Sequence, residues 1–428
     1  MLMLTLSLAR LTSHATAEDW PRWRGPRADG SWRAPPLPEK WPDGGPKKLW
    51  RQPIGGGYAG VSVVGSRMVT MDRQTEPAEV ERVVSLDADT GGELWSHAYP
   101  VEYGKLDYGN GPRAAPTIHD GRVYTLGALG HVCCIDLATG KLAWSVDTVK
   151  HHGAAIPTWG LAASPVIDGD RVIVHVGAKP DGCLLALDRR DGRVVWRGGD
   201  DPAGYCTPIL IEHAGRRQLI CWTPEHIVGH DPADGAVLWK IPYKVTYGVS
   251  IATPIFREGL VFVAGYWEGS KAIRLGDGPR DATLAWEDTR DLRGLMSQPL
   301  YDGGLVYLLD KGKGLTCFEL ASGKKLWDDG HRMTPRGRNP QASLVWLNTD
   351  DAAERDRAAA SDDENRPGRR AIILNSDGDL ILARLGREGF HETARANVIG
   401  KTWAHPAYAG NRCYARSDTE IVAVELTP

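Results

Sequence analysis

The chain has 428 residues, and its 51 Lys and Arg against 54 Asp and Glu give a formal net charge of −3. Charges of both signs are interspersed, so there is no basic footprint for nucleic acid, and beyond the N-terminus no apolar run is long enough to span a bilayer. The 50 Gly and 16 Trp recur at regular intervals, and such a repeat lets this length fold as one domain.

Residues 1–17, MLMLTLSLARLTSHATA, carry a short apolar run and end in the small-x-small pattern Ala15-Thr16-Ala17. They read as a secretory signal peptide, which places the mature protein in the periplasm or outside the cell. No Cys lies near the cleavage point, so no lipid anchor is expected there. Residues 18–47 are too rich in Pro for a helix or a central strand. They are expected to form an extended arm laid over the body, anchored by Trp20, Trp23, Trp32 and Trp41. Lys47 to Trp50 then looks like an outer strand without its inner three.

From Tyr58 onward the chain repeats. In LDADTGGELW, residues 86–95, Asp87 is followed after four residues by Gly91 and after four more by Trp95. The frame returns at Asp136/Gly140/Trp144, Asp188/Gly192/Trp196 and Asp231/Gly235/Trp239, and with Glu at Glu319/Gly323/Trp327. The first four Trp of this frame lie 49, 52 and 43 residues apart, which fits four short strands and their turns per unit. Gly in this turn supplies a positive φ, and the Asp carboxylate can accept backbone N–H bonds across it. Two residues before each anchor stands a small residue: Ser85, Cys134, Ala186, Gly229 and Cys317. This pairing predicts that each indole packs across a unit boundary over the small residue of its neighbour.

Unit five, 247–288, loses the anchor but keeps Trp286. Unit seven is interrupted by residues 349–370, which have almost no large apolar side chains and are expected to form a disordered loop. Unit eight ends at Glu425 without a fourth strand, which the orphan at Lys47 to Trp50 can supply. The count therefore gives an all-β, eight-bladed β-propeller of four-stranded antiparallel blades over residues 48–428. Pairing the N-terminal strand with the C-terminal blade closes it and removes the free edges of a linear array.

This pattern resembles the tryptophan-docking repeat of the pyrroloquinoline quinone (PQQ) β-propeller superfamily, and DWPRWRGPRADG resembles the N-terminal signature of exported planctomycete-type members. The superfamily includes quinoprotein alcohol dehydrogenases and the non-enzymatic propeller lipoprotein of the outer-membrane β-barrel assembly machinery, so fold alone does not assign chemistry. The dehydrogenases carry a vicinal Cys pair beside the quinone, and Cys133-Cys134 is similar. Here, however, Cys134 falls on the small position of the repeat, and one residue separates the pair from Asp136. A calcium-binding trio from separate blades, as the resemblance would require, cannot be placed, and no haem motif is present. His151-His152 reads as a solvated loop pair, and the seven cysteines read as small core residues, with no metal site expected.

The variable side chains lie where each unit enters its innermost strand, through GPRAAP, GLAASP, GYCTP, GVSIATP, GLMSQP and TWAHP. These lead-ins should gather at one mouth of the central channel. There Arg113, Trp159, Tyr205, Gln298, Arg338, Trp403 and His405 are the expected ligand or partner-binding residues, with Tyr58, Tyr247, Arg293 and Gln341 beside them. The expected function is a non-catalytic binding or scaffold propeller, monomeric, with a protein or small-ligand partner in the cell envelope and no resident cofactor. The alternative is a PQQ-dependent alcohol or sugar dehydrogenase, with PQQ and Ca²⁺ as its cofactors.

Overall fold

A computed structural model describes residues 18–294, 296–348 and 368–427. The expected signal, residues 1–17, lies outside the described residues, as does residues 349–367 of the expected loop. Its last residues are not loop: Arg369 and Arg370 already belong to the strand Arg369–Asn375. Arg370 donates to the carbonyls of Leu37 and Pro38, and Arg369 stacks over Trp346 at 4.9 Å. The strand extends back because these guanidiniums have partners on the arm and the neighbouring blade.

Eight sheets form the ring. Seven have four strands, and the seventh blade has a fifth added on its axial side. Closure is made by Lys48–Pro53, which pairs antiparallel with Glu420–Glu425 of blade eight. The strands alternate inward and outward side chains, so blade faces pack on blade faces over buried apolar clusters, some confined to one interface and one running through blades three, four and five. No helix among the described residues is long and apolar enough to cross a membrane.

Each repeat turn is closed from within. Asp87 Oδ1 accepts from the N–H groups of Asp89 and Thr90 at 3.0 and 2.8 Å, and from Thr90 Oγ1 at 2.9 Å. Gly91, at φ 75°, returns its N–H to the Asp87 carbonyl at 2.8 Å. These bonds favour the charged carboxylate and hold Asp87 below the usual carboxylate range.

The indoles dock differently from the sequence expectation. The small residue lies in the same blade, directly opposite its own Trp: Ser85 pairs with Trp95, Cys134 with Trp144 and Ala186 with Trp196. Across the boundary, the Trp95 ring covers Gly140 of the next turn, and its Nε1–H donates to the Leu137 carbonyl at 2.9 Å. Trp144 does the same with Gly192 and Arg189, and Trp196 with Gly235 and Pro232. Trp50, Trp286 and Trp327 donate to Ala88, Leu320 and Gly386. The small residue leaves room for the ring to lie down along the sheet, and the turn supplies the acceptor.

Trp239 is the exception. Blade five has lost the Asp–Gly turn, and Trp239 donates instead to Gln218 Oε1 of its own blade at 2.7 Å.

The arm lies over the body only in its second part, where Trp41 donates to the Leu380 carbonyl of blade seven at 3.1 Å and Glu39 pairs with Arg384. Residues 20–33 run through the axial channel, because the inner strands present unpaired N–H and C=O groups there that need partners. Trp20 bridges Val63 of blade one, Pro21 accepts from Ile118 N–H of blade two, and Arg24 donates to the Pro299 carbonyl before blade six. Ser31–Arg33 adds parallel to Ala342–Asn348 of blade seven. Trp20 and Trp32 are buried, each within 5.5 Å of the Tyr408 ring of blade eight.

Candidate functional site

The first strand of each blade leaves one mouth of the channel and the second returns to it. Lead-ins and the hairpins between second and third strands therefore share that end. Arg113, Trp159, Tyr205, Gln298, Arg338, Trp403 and His405 all line one cavity there, of about 640 Å³, with Tyr58, Tyr247 and Gln341. Arg293 is not among the lining residues, and its guanidinium lies 3.9 Å from Asp310.

The cavity has a floor and a rim with different chemistry. Trp23 of the arm forms the floor, edge-on to His405 with centroids 4.4 Å apart, and donates its Nε1–H to Thr253 Oγ1 at 2.9 Å. Gln341 Nε2–H donates to His405 Nε2 at 3.1 Å, which leaves Nδ1–H to donate to Ser343 Oγ at 3.2 Å. Burial, with the Arg24 charge adding, pushes the His405 imidazole down to about 3, so it is neutral. Gln298 accepts from Thr253 N–H at 2.6 Å and donates to the Met296 carbonyl at 3.0 Å. Arg113 donates to the carbonyls of Gly109 and Gly111 and lies over the Tyr58 ring at 5.7 Å. These polar groups satisfy one another and hold the lead-ins in place.

The rim is aromatic and open. Trp403 stands between Tyr58 and Tyr108, each 5.6 Å away centre to centre, and Trp159 lies 5.7 Å from Tyr205. Opposite them Tyr266 and Trp267 meet at 4.7 Å under Lys311, whose Nζ is 4.2 and 4.3 Å from the two rings. Tyr247 is 73% exposed and Trp267 48%, a large display for side chains that normally bury their rings. Burial raises the Tyr205 hydroxyl to about 12, so it stays protonated. Arg338 is exposed at the lip, where its backbone carbonyl accepts from Tyr266 Oη at 3.0 Å.

Trp23, Tyr108, Tyr266 and Trp267 were not among the residues expected at the site. The last two sit in a hairpin between second and third strands, GYWEG, and the up-and-down course of a blade brings every such hairpin to the lead-in end. That topological signal finds them.

The quinone arrangement does not fit this mouth. Cys133 and Cys134 alternate along one strand, Cys133 packing with the blade-one side and Cys134 with the blade-three side, so they cannot face one ligand together. Asp107 is the one carboxylate in the lining, whereas Ca²⁺ takes six to eight oxygens, typically including several carboxylates. His151 and His152 end the short helix Thr148–His152 and do not line the cavity.

A sequence profile described as outer membrane protein assembly factor BamB matches residues 44–198 and 79–329, more than half of the chain. The protein of that name from Moranella endobia is 23% identical over 352 residues, covering 74% of this chain and 83% of its own length. The crystal structure of BamB from Moraxella catarrhalis superposes with a TM-score of 0.59 at 16% identity, over 89% of this chain and 99% of that one. Quinohemoprotein alcohol dehydrogenase from Comamonas testosteroni superposes at 0.63 with 14% identity, over 96% and 81%. These two structural likenesses establish the fold alone. The profile match goes further: the chain belongs to the BamB-like family of PQQ-type β-propellers.

Proposed function

We propose that this protein is an exported, non-catalytic propeller of the cell envelope that holds a partner protein by taking a segment of it into the aromatic mouth. One observation carries the reading: rigid rings, several of them exposed, surround a ligand-sized cavity whose floor groups, Trp23, Gln298, Gln341 and His405, are already hydrogen-bonded. Flat rings give contact area at low entropic cost. In the lining Arg113 and Arg338 stand against Asp107, while Lys311 at the lip is offset by Asp310 and Glu268; the remaining positive balance favours a partner segment that brings an acidic side chain or a C-terminal carboxylate. The relatives named for outer membrane protein assembly support a protein partner over a small substrate.

The test is a photo-crosslinker at Tyr247 in envelope extracts, with the captured partner then titrated against variants. Trp267→Ala with Arg338→Ala should weaken capture at least tenfold, the scale of losing a central anchor, and leave the melting temperature unchanged. Retained affinity in that double variant moves the binding face elsewhere. A dehydrogenase reading is favoured by the cavity's size. It would require saturable quenching of Trp159 and Trp403 by PQQ with Ca²⁺, together with dye-linked alcohol oxidation.

A further inference from the structure

Four side chains far apart in sequence meet in the interface between blades three and four. His175 lies on Arg171–Ala178, Cys183 on Gly182–Asp188, Cys206 in the lead-in to blade four and Cys221 on Arg216–Trp222. All are buried, none more than 1% exposed. The ligand atoms of His175, Cys206 and Cys221 lie within 4.8 Å of one another, and among the described residues no other group of three His, Cys, Asp or Glu is so arranged. Cys133, Cys134, Cys317 and Cys413 sit in blades two, six and eight, outside it. His175 is the one polar side chain in the interior stretch VIVHVGA.

We propose that this cluster is a zinc site that clips blade three to blade four, with His175, Cys206 and Cys221 as ligands in place and Cys183, whose thiol lies outside that group and 3.9 Å from the Pro202 carbonyl, turning in as the fourth. A tetrahedral zinc with Zn–S of about 2.3 Å and Zn–N of about 2.0 Å requires S···N edges of about 3.6 Å. Cys221 Sγ stands 3.6 Å from His175 Nδ1 and 3.8 Å from Nε2. The tautomer of His175 is also set. Gly204 N–H donates to Nε2 at 3.1 Å, so the proton is on Nδ1, which donates to the Cys206 carbonyl at 3.2 Å. A ligating His holds its tautomer by such a bond from the other nitrogen to a backbone carbonyl.

Because Cys221 Sγ is nearly equidistant from both nitrogens, it lies beside the ring rather than in line with Nε2. Coordination therefore tilts the imidazole about its Nδ1–H bond to the Cys206 carbonyl and exchanges the Gly204 bond for the metal. Each ligating thiol releases one proton as it binds. The soft donor set excludes Mg²⁺ and Ca²⁺, which take oxygen ligands. The site is independent of the mouth pocket and stands or falls separately from the partner-binding reading.

The full chain, purified under reducing conditions, is expected to carry one zinc per molecule by elemental analysis. Replacement by Co²⁺ should give thiolate-to-cobalt charge-transfer absorbance and the visible bands of tetrahedral cobalt. Cys221→Ser should abolish both, and Cys413→Ser, equally buried in blade eight, should retain them. If Cys221→Ser fails to fold, the wild-type chain still decides: chelation should strip the zinc and lower the melting temperature, zinc added back should restore it, and an unchanged melting temperature would overturn the clip. Absence of stoichiometric zinc, cobalt spectra without thiolate bands, or a Cys206–Cys221 disulfide in the freshly isolated protein would each overturn the proposal.

Discussion

Gly140→Ala isolates what the docked indole contributes. Gly140 sits at φ 71°, and a Cβ built there would lie 2.7 Å from Trp95 Cγ and 2.8 Å from its Cβ and Cδ2. The ring cannot retreat without lengthening its 2.9 Å bond to the Leu137 carbonyl. Two costs therefore add: about 1–2 kcal/mol for a side chain in the left-handed region, and about 1–3 kcal/mol for forcing atoms into a packed interface. Gly65 is the control, at φ 57° with nothing within 4 Å of its notional Cβ, so Gly65→Ala pays the conformational cost alone. Urea denaturation of the two variants should give an unfolding free-energy loss for Gly140→Ala larger by about 1–3 kcal/mol. Equal losses would mean that the indole and turn do not bear on each other in solution, and the docking account would fail.

Two other outcomes follow from the arm and the floor. Trp20→Ala removes a buried ring packed edge-on to Tyr408, and is expected to cost about 3–5 kcal/mol and to make residues 18–33 the first cleaved in limited proteolysis; an arm that stays protected would show that its pairing with Val63 and Ala342–Asn348 suffices. His405 titrates near 6.5 when unfolded and is pushed down to about 3 when folded, where Trp23, Gln341, Ser343 and the charged Arg24 face it. The unfolded chain thus takes the proton first, so this stabilisation is whole above about pH 6.5 and is lost toward pH 3, at up to about 1.4 kcal/mol per pH unit. Urea titrations at several pH values should show a shallower acid slope in His405→Gln, and an unchanged slope would place the imidazole in contact with water.

The ring was legible because its signals are local and repeated. Asp87, Gly91 and Trp95 each have a geometric job within ten residues, and the same job recurs in later blades. The missing strand of blade eight and the orphan at Lys48–Pro53 follow by counting. The direction of docking was not legible. Ser85 and Trp95 face each other across one β-bulge register within a blade, and sequence spacing does not say which side of a boundary a partner stands on. At the mouth, the lead-ins are marked by Gly and Pro and could be gathered by topology, which brings Trp159, Tyr205 and Trp403 together. Trp23 could not be found that way, because no local pattern indicates that an arm enters a channel. Nor does any spacing join residues 175, 183, 206 and 221, since their proximity exists only once two blades are stacked.

Trp239, which bonds within its own blade, shows what circular closure permits. In a linear stack of repeats stability is a chain of neighbour terms, and losing one divides the array in two. In a closed ring every blade keeps a second neighbour, and the ends remain tied through Lys48–Pro53. One boundary can therefore shed its turn without creating a terminus. Blade five has done so, and the same blade presents Tyr266 and Trp267 at the mouth. Circularity gives such a protein room to diverge one blade at a time.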